Sequence, residues 1–371
     1  MRIGILTFHR AENFGAVLQC FALQEYLRSK KYEVKIIDYR CRAIENAYYL
    51  LNIRILFRSC NIVKSFYLFF KRSMFFFDKW RKKTQYRAFR NRMFNRTSPM
   101  ININKNMGYD AYIVGSDQVW NTLLTGGFDK NYFLEFPMSE NAIKIAYAVS
   151  SEENAILDLN KYKTKVIKAL CNFDAISVRE QSFSDALSKY TKKRIQVCCD
   201  PTFFLSKAKY ISIAKKPKDL NYVLVYHVKE SEDASQIADA LSQKLGLKVI
   251  EIHASFSKWK DRKRHYQNLG PLEILGYMVY AKYIITTSFH GVALSLILEK
   301  QFYITSKEAN LRQINLLKYL GLQNRIISST PIDMNSQISY IEVNNKIKEM
   351  VVASQNYILK NLLYENCILD K

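Results

Sequence analysis

Short apolar runs recur along this chain. Each is about one strand long and is followed by a polar loop and a segment with apolar residues at helical spacing. Ile3 to Phe8 is the first. The loop His9 to Gly15 follows it, and Val17, Leu18, Phe21, Ala22 and Leu27 predict a helix over 16–28, before a strand at Val34 to Ile37. The pattern returns with strands at 111–114, 144–149, 175–178 and 195–199 and helices at 156–170 and 180–190. It restarts with strands at 223–228, 249–252, 283–287 and 302–305. Helices are predicted at 234–245, 272–281, 291–298, 311–320 and 338–363. Strands alternating with helices predict parallel sheets covered on both faces.

A length of 371 residues allows two or three domains at roughly 150 residues each. The Lys-rich stretch before the restart divides the alternation in two. The expected fold class is therefore α/β, with two Rossmann-like lobes built on parallel sheets. They span residues 1–207 and 221–371, joined by a linker at 208–220, and a C-terminal helix ends the second lobe. Ligands of such sheets sit beyond the carboxyl ends of the strands, which places a site in the cleft between the lobes.

Residues 52–96 fit neither sheet. They hold thirteen Lys or Arg, one acid (Asp78) and twelve aromatics, a net charge of 13 − 1 = +12 within a chain of net charge +23. This reads as a basic aromatic helical insertion in the first lobe. Its rings could pack on the lobe, stack on nucleic acid bases, or enter the headgroup boundary of an anionic membrane. No helix-turn-helix, zinc or RNP-type pattern supports nucleic acid, and none is expected as a partner; peripheral contact with an anionic membrane surface is.

No apolar run reaches the roughly 18 residues of a membrane span, and the first residues lack a secretory pattern. Seven scattered Cys without a Cys-x-x-Cys pair suit a reducing compartment. The expected location is the cytoplasm, at most peripheral to the inner membrane face. His227, His253, His265 and His290 show no ligand spacing, so no metal is expected. A Walker loop, a Gly-x-Ser-x-Gly elbow and a Gly-x-Gly-x-x-Gly turn are all absent from the sequence.

Four strand-end loops carry the candidate chemistry. Asn13-Phe14-Gly15-Ala16 opens the first helix, where Gly15 permits close approach and the helix N-terminus can receive an anion. Gly115 to Asn121 offers Asp117, Gln118 and Asn121 for sugar hydroxyls and Trp120 for a sugar face; a helix-capping role is the alternative. Arg179, in Ser177-Val178-Arg179-Glu180, could clamp a phosphate or carboxylate, or pair with Glu180 or Asp200. Ser288-Phe289-His290-Gly291 places a His where a buried strand turns into a helix. There it could act as acid and base or serve as a cap.

These segments in this order, with Asp200-Pro201 and Val17-Leu18-Gln19, resemble the polysaccharide pyruvyl transferase family over about residues 3–305. The resemblance implies a GT-B-like architecture and a transferase without a cofactor. Its donor would be phosphoenolpyruvate, from which a pyruvate ketal is built on two hydroxyls of a hexose. The acceptor would belong to a bacterial surface polysaccharide (an exopolysaccharide) or its lipid-linked precursor. It also implies His290 as the catalytic acid/base and Arg179, with Ser288 and Gly291, on the donor. Asn13, Gly15, Asp117, Gln118, Trp120 and Asn121 are the acceptor-side expectation. Where many members carry an Arg before the Leu-His-Gly, this chain has Ser288. Either another cation replaces it (Lys229, Arg262, Arg264 or Arg312) or the donor differs. A differing donor would fit a glycosyltransferase using a nucleotide sugar, with Glu251 as its ribose carboxylate, or a non-catalytic binding module on this scaffold.

Overall fold

A computed structural model describes residues 1–50, 74–256, 261, 263–328 and 336–363. Of the expected insertion, 52–73 lie outside the described residues, as does Arg262.

The first sheet is β1 (Arg2–Leu6), β2 (Glu33–Ile36), β3 (Ala111–Asp117), β4 (Ile143–Val149), β5 (Ala175–Val178) and β6 (Ile195–Val197). The order is β2-β1-β3-β4-β5-β6, every pair parallel. The second is β7 (Val223–His227), β8 (Val249–His253), β9 (His265–Tyr266), β10 (Tyr283–Thr286), β11 (Gln301–Thr305) and β12 (Ile326–Ile327). Its order is β12-β11-β10-β7-β8-β9, again parallel throughout. The central strands are buried along nearly their whole length, because their runs of Ile, Val, Ala and Tyr leave no polar face to show water. Two-residue β9 and β12 carry too little pattern to be read from sequence.

Strand order reverses between β1 and β3 in one sheet and between β7 and β10 in the other. These are the switch points at which adjacent loops diverge and leave a crevice. The helices that matter there are α1 (Phe14–Ser29), α2 (Phe76–Met93), α3 (Glu232–Leu245), α4 (Phe289–Ile297), α5 (Leu311–Leu320) and α6 (Tyr340–Leu363). Asn13 caps α1 by accepting from the Ala16 N–H, and Ser288 caps α4 by accepting from the Gly291 N–H.

The stretch expected as a linker is partly helical: Lys207–Ile213 is capped by Ser206, with Tyr210 fully buried. The C-terminal helix joins the lobes: Tyr340 donates to the Lys300 carbonyl and Asn344 to Glu299 of the second lobe. Ser354 on α6 accepts from the Cys199 N–H at 2.9 Å, just past β6.

The described part of the insertion, α2, spans the lobes. Tyr86 and Phe89 are buried, and Phe89 meets Phe21 and Phe94 edge-on. On the second lobe, Arg81 donates to the Asn268 carbonyl and pairs with Glu273 at 3.0 Å. Lys82 donates to the Ala254 carbonyl at 2.7 Å. Among the described residues no helix is long and apolar enough to cross a membrane.

Candidate functional site

Two lobes meet on one oxygen. Arg179 leaves the end of β5 and donates from Nη1 to Oδ2 of Asp200 at 2.5 Å. His290, in the first turn of α4, brings Nε2 to 3.3 Å from the same oxygen. Beyond this contact with Asp200, the buried His290 Nε2 has no hydrogen-bond partner. Asp200 Oδ1 accepts from the backbone and hydroxyl of Thr202. Burial would raise the Asp200 carboxyl, but His290 and Arg179 outweigh it and hold the group well below the ordinary carboxylate range.

Arg179 also reaches Glu180 at 3.4 Å, and its guanidinium lies 4.4 Å from the centre of the Phe289 ring, a second contact between the lobes. Its Nη2 is buried without a partner, and so is Oε2 of Glu180. Burial pushes the Glu180 carboxyl up, against the pull of Arg179 and Arg312. Ser150 donates to the other Glu180 oxygen. The sequence placed Arg179 on a ligand or in a salt bridge; here it makes both ion pairs and keeps one nitrogen unspent.

Arg312 occupies the second residue of α5, whose N-terminus faces the first lobe. It donates to Ser150 at 3.3 Å and to Glu152 at 3.4 Å, with Nε 3.9 Å from Glu180. Burial and the neighbouring Arg179 lower its pKa, against Glu180, Glu152 and Asp117, so a second guanidinium stands beside the first. Of the other proposed replacements, Arg262 lies outside the described residues. Arg264 is held by Glu251 and Asp239, and exposed Lys229 uses its backbone to bind Thr287. Arg179, Glu180, Asp200, Phe289 and Arg312 line a cavity of about 410 Å³. His290 stands beside this cavity, on Asp200, rather than on its wall.

Gly15 belongs to the site for a steric reason: a Cβ there would lie 2.0 Å from Nδ1 of His290. A Cβ on Gly291 would meet the Thr286 hydroxyl at 2.2 Å. Asp117 stands close enough to favour the charged forms of Arg179 and Arg312. Gln118 contacts Glu152 at 3.4 Å and accepts from Asn121, which itself caps the short helix Thr122–Thr125.

Trp120 is in the core. It is 1% exposed, donates from Nε1 to the Tyr132 carbonyl and stacks on Phe133 with centroids 5.1 Å apart. No ring face remains for a sugar. The apolar neighbours that bury it come from residues 133, 173 and 183, which local pattern does not bring together.

Three of the four histidines, His227, His253 and His265, lie together, contrary to expectation. His227 and His253 pair across β7 and β8, and their ligand atoms lie within 4.8 Å of Glu251 and of each other. The ligand spacing is made by strand register, not by sequence interval. Glu251, the one expected ribose carboxylate, is fully buried, with Oε1 taken by Arg264 and Oε2 by His227 and Ser235. Sequence reasoning named Glu180 and Asp200 only as possible salt-bridge partners of Arg179, not as site groups.

The model of the family described as polysaccharide pyruvyl transferase matches residues 13–306. No curated protein matches the chain. Among solved structures, UDP-GlcNAc 2-epimerase from Methanocaldococcus jannaschii is similar at 12% identity and TM-score 0.45, covering 98% of this chain and 100% of that one. UDP-GlcNAc 2-epimerase from Neisseria meningitidis, bound to UDP-GlcNAc, is similar at 8% identity and TM-score 0.48, with the same coverage. The E. coli heptosyltransferase WaaC with ADP is similar at 12% identity and TM-score 0.37, covering 94% of this chain and 100% of that one. The family model takes in all four strand-end loops, from Asn13 to Gly291, and the chain belongs to the polysaccharide pyruvyl transferase family.

Proposed function

We propose that the chain transfers a pyruvate ketal from phosphoenolpyruvate to two hydroxyls of a hexose in a bacterial surface polysaccharide or its lipid-linked precursor. The observation that carries this reading is the convergence of Arg179 and His290 on Asp200 with Arg179 Nη2 buried and unpartnered. Buried polar atoms without partners are rare and call for an explanation. A small multiply charged anion supplies one, and Arg312 adds a second cation where the family Arg is Ser288.

In the proposed reaction an acid, His290, protonates the methylene carbon of the donor, and C2 becomes electrophilic. One sugar hydroxyl adds to C2, forming a C–O bond, and its proton returns to His290. The C2–O bond to phosphate then breaks, the second hydroxyl closes the ketal, and its proton leaves with phosphate. Arg179 and Arg312 hold the carboxylate and phosphate charges, and Asp200 faces His290 Nε2 at 3.3 Å. The groups come from both lobes, so their alignment depends on the cleft.

Ligand-dependent thermal unfolding tests the donor. Phosphoenolpyruvate at 100 times its dissociation constant should stabilise the protein by about 2.7 kcal/mol. Arg179→Ala should abolish that shift. Stabilisation by UDP- or GDP-sugars alone would overturn the donor assignment.

A further inference from the structure

We propose that the second lobe holds a zinc ion at a site formed by His227, Glu251, His253 and His265, apart from the Arg179–His290 site.

The sheet builds the cluster. Residues two apart on a strand share a face, so Glu251 and His253 of β8 point the same way. Register sets His227 of β7 opposite His253, and His265 of β9 opposite Glu251. Three of the chain's five histidines thus meet one carboxylate. His227 Nε2 lies 2.8 Å from Glu251 Oε2, and His253 Nε2 lies 3.0 Å from His265 Nδ1. Glu251 Oε2 is 3.8 Å from His253 Nε2 and 3.7 Å from His265 Nδ1. Ligands of a tetrahedral zinc with bonds of 2.0–2.1 Å stand about 3.4 Å apart, a spacing these four values bracket. The His227 and His253 rings lie parallel, 4.6 Å between centroids. One ring therefore turns about Cβ–Cγ as the ion enters.

The surrounding groups prepare the donors. His253 Nδ1 sits 2.9 Å from Glu230, and a carboxylate only accepts, so Nδ1 carries the proton and Nε2 of the neutral ring presents its lone pair. Arg264 occupies Oε1 of Glu251 from Nε and Nη2, which leaves Oε2 as a single oxygen ligand. Zinc would displace the proton that His227 shares with that oxygen and the proton that His265 Nδ1 donates to His253 Nε2. Three nitrogens and one oxygen are a borderline donor set that suits zinc over calcium or magnesium. An entry path exists: His265 also lines a cavity of about 480 Å³ between α2, the segment 215–219 and the second lobe.

The test reads metal, not transfer activity, so it stands or falls apart from the proposed function. The full chain, with any purification tag removed, is equilibrated with Zn²⁺, passed into metal-free buffer and assayed by mass spectrometry. The expectation is about one zinc per chain. Co²⁺ in its place should give the intense visible absorption of a four-coordinate site. His253→Asn and His265→Asn should each abolish both signals, and Glu230→Gln should weaken affinity about 10- to 100-fold. His265 is the least buried of the ligands, so His265→Asn stays interpretable if His253→Asn fails to fold. Circular dichroism of the metal-free proteins separates ligand loss from unfolding. A wild-type chain that retains no zinc overturns the proposal, and so does a folded His265→Asn variant that binds as wild type does.

Discussion

Gly15 and His290 belong to different lobes, yet a Cβ on residue 15 would sit 2.0 Å from the His290 Nδ1. The first turn of α1 is therefore the wall against which the imidazole rests, and only a residue without a side chain lets α1 and α4 approach this closely. Gly15→Ala should gain about 1 kcal/mol of helix propensity while pushing His290 off Asp200. We expect kcat, followed by phosphate release from phosphoenolpyruvate, to fall by about 100-fold, since small misplacements at a reacting centre cost that much. Denaturant stability should change by less than about 2 kcal/mol. Full activity in this variant would show that His290 works elsewhere.

Arg312 distinguishes a compensating cation from a bystander. Arg312→Ala should lower kcat/KM for phosphoenolpyruvate by about 100- to 1,000-fold, the range for losing one charged contact to a developing anion. Arg264→Ala should leave kcat/KM near wild type and act on stability, because Arg264 serves Glu251. Equal effects of the two variants on kcat/KM would refute the assignment.

Trp120 should behave as a core residue. Trp120→Ala is expected to cost about 3–5 kcal/mol in urea unfolding. Trp120→Phe, which keeps a ring against Phe133, should cost less and leave the acceptor KM unchanged. A raised acceptor KM in a stable Trp120→Phe variant would return the ring to the sugar site.

Lys82 makes stability depend on pH. Burial pulls its ammonium down to about 8, and Glu12 only partly opposes this. A cation with a folded pKa below its unfolded value of about 10.4 loses its proton first in the folded state. Stability then rises with pH from about 8 to 10.4, by about 3 kcal/mol at most. The difference in unfolding free energy between wild type and Lys82→Met should follow that rise and level off above it. A difference flat across pH 7 to 10.5 would mean that Lys82 stays charged.

Contact with an anionic membrane surface needs a test that spares the lobe packing. Neutralising Lys79 to Lys83 would remove Arg81 and Lys82 from the second lobe. Phe77, 78% exposed, and Trp80, 54% exposed, are the better targets on α2. Phe77→Ser with Trp80→Ser should reduce co-sedimentation with vesicles containing phosphatidylglycerol by about 10-fold, consistent with losing two buried rings. Unchanged sedimentation would leave α2 as a brace between lobes.

Apolar runs of the right length and the glycine and asparagine at strand ends were enough to read two parallel α/β lobes, the loop that holds Gly15, and Arg179 and His290 at the ends of their strands. Those signals are local: a buried strand must be apolar on both faces, and a helix start needs its cap. Tertiary structure decided the rest. It set Asp200 between Arg179 and His290, carried Arg312 from the second lobe to Ser150, Glu152 and Glu180 of the first, buried Trp120 and gathered three histidines by strand register. These relations join residues tens to hundreds of positions apart. No local pattern encodes them, because they depend on which strands pair, in what register, and on how one lobe faces the other.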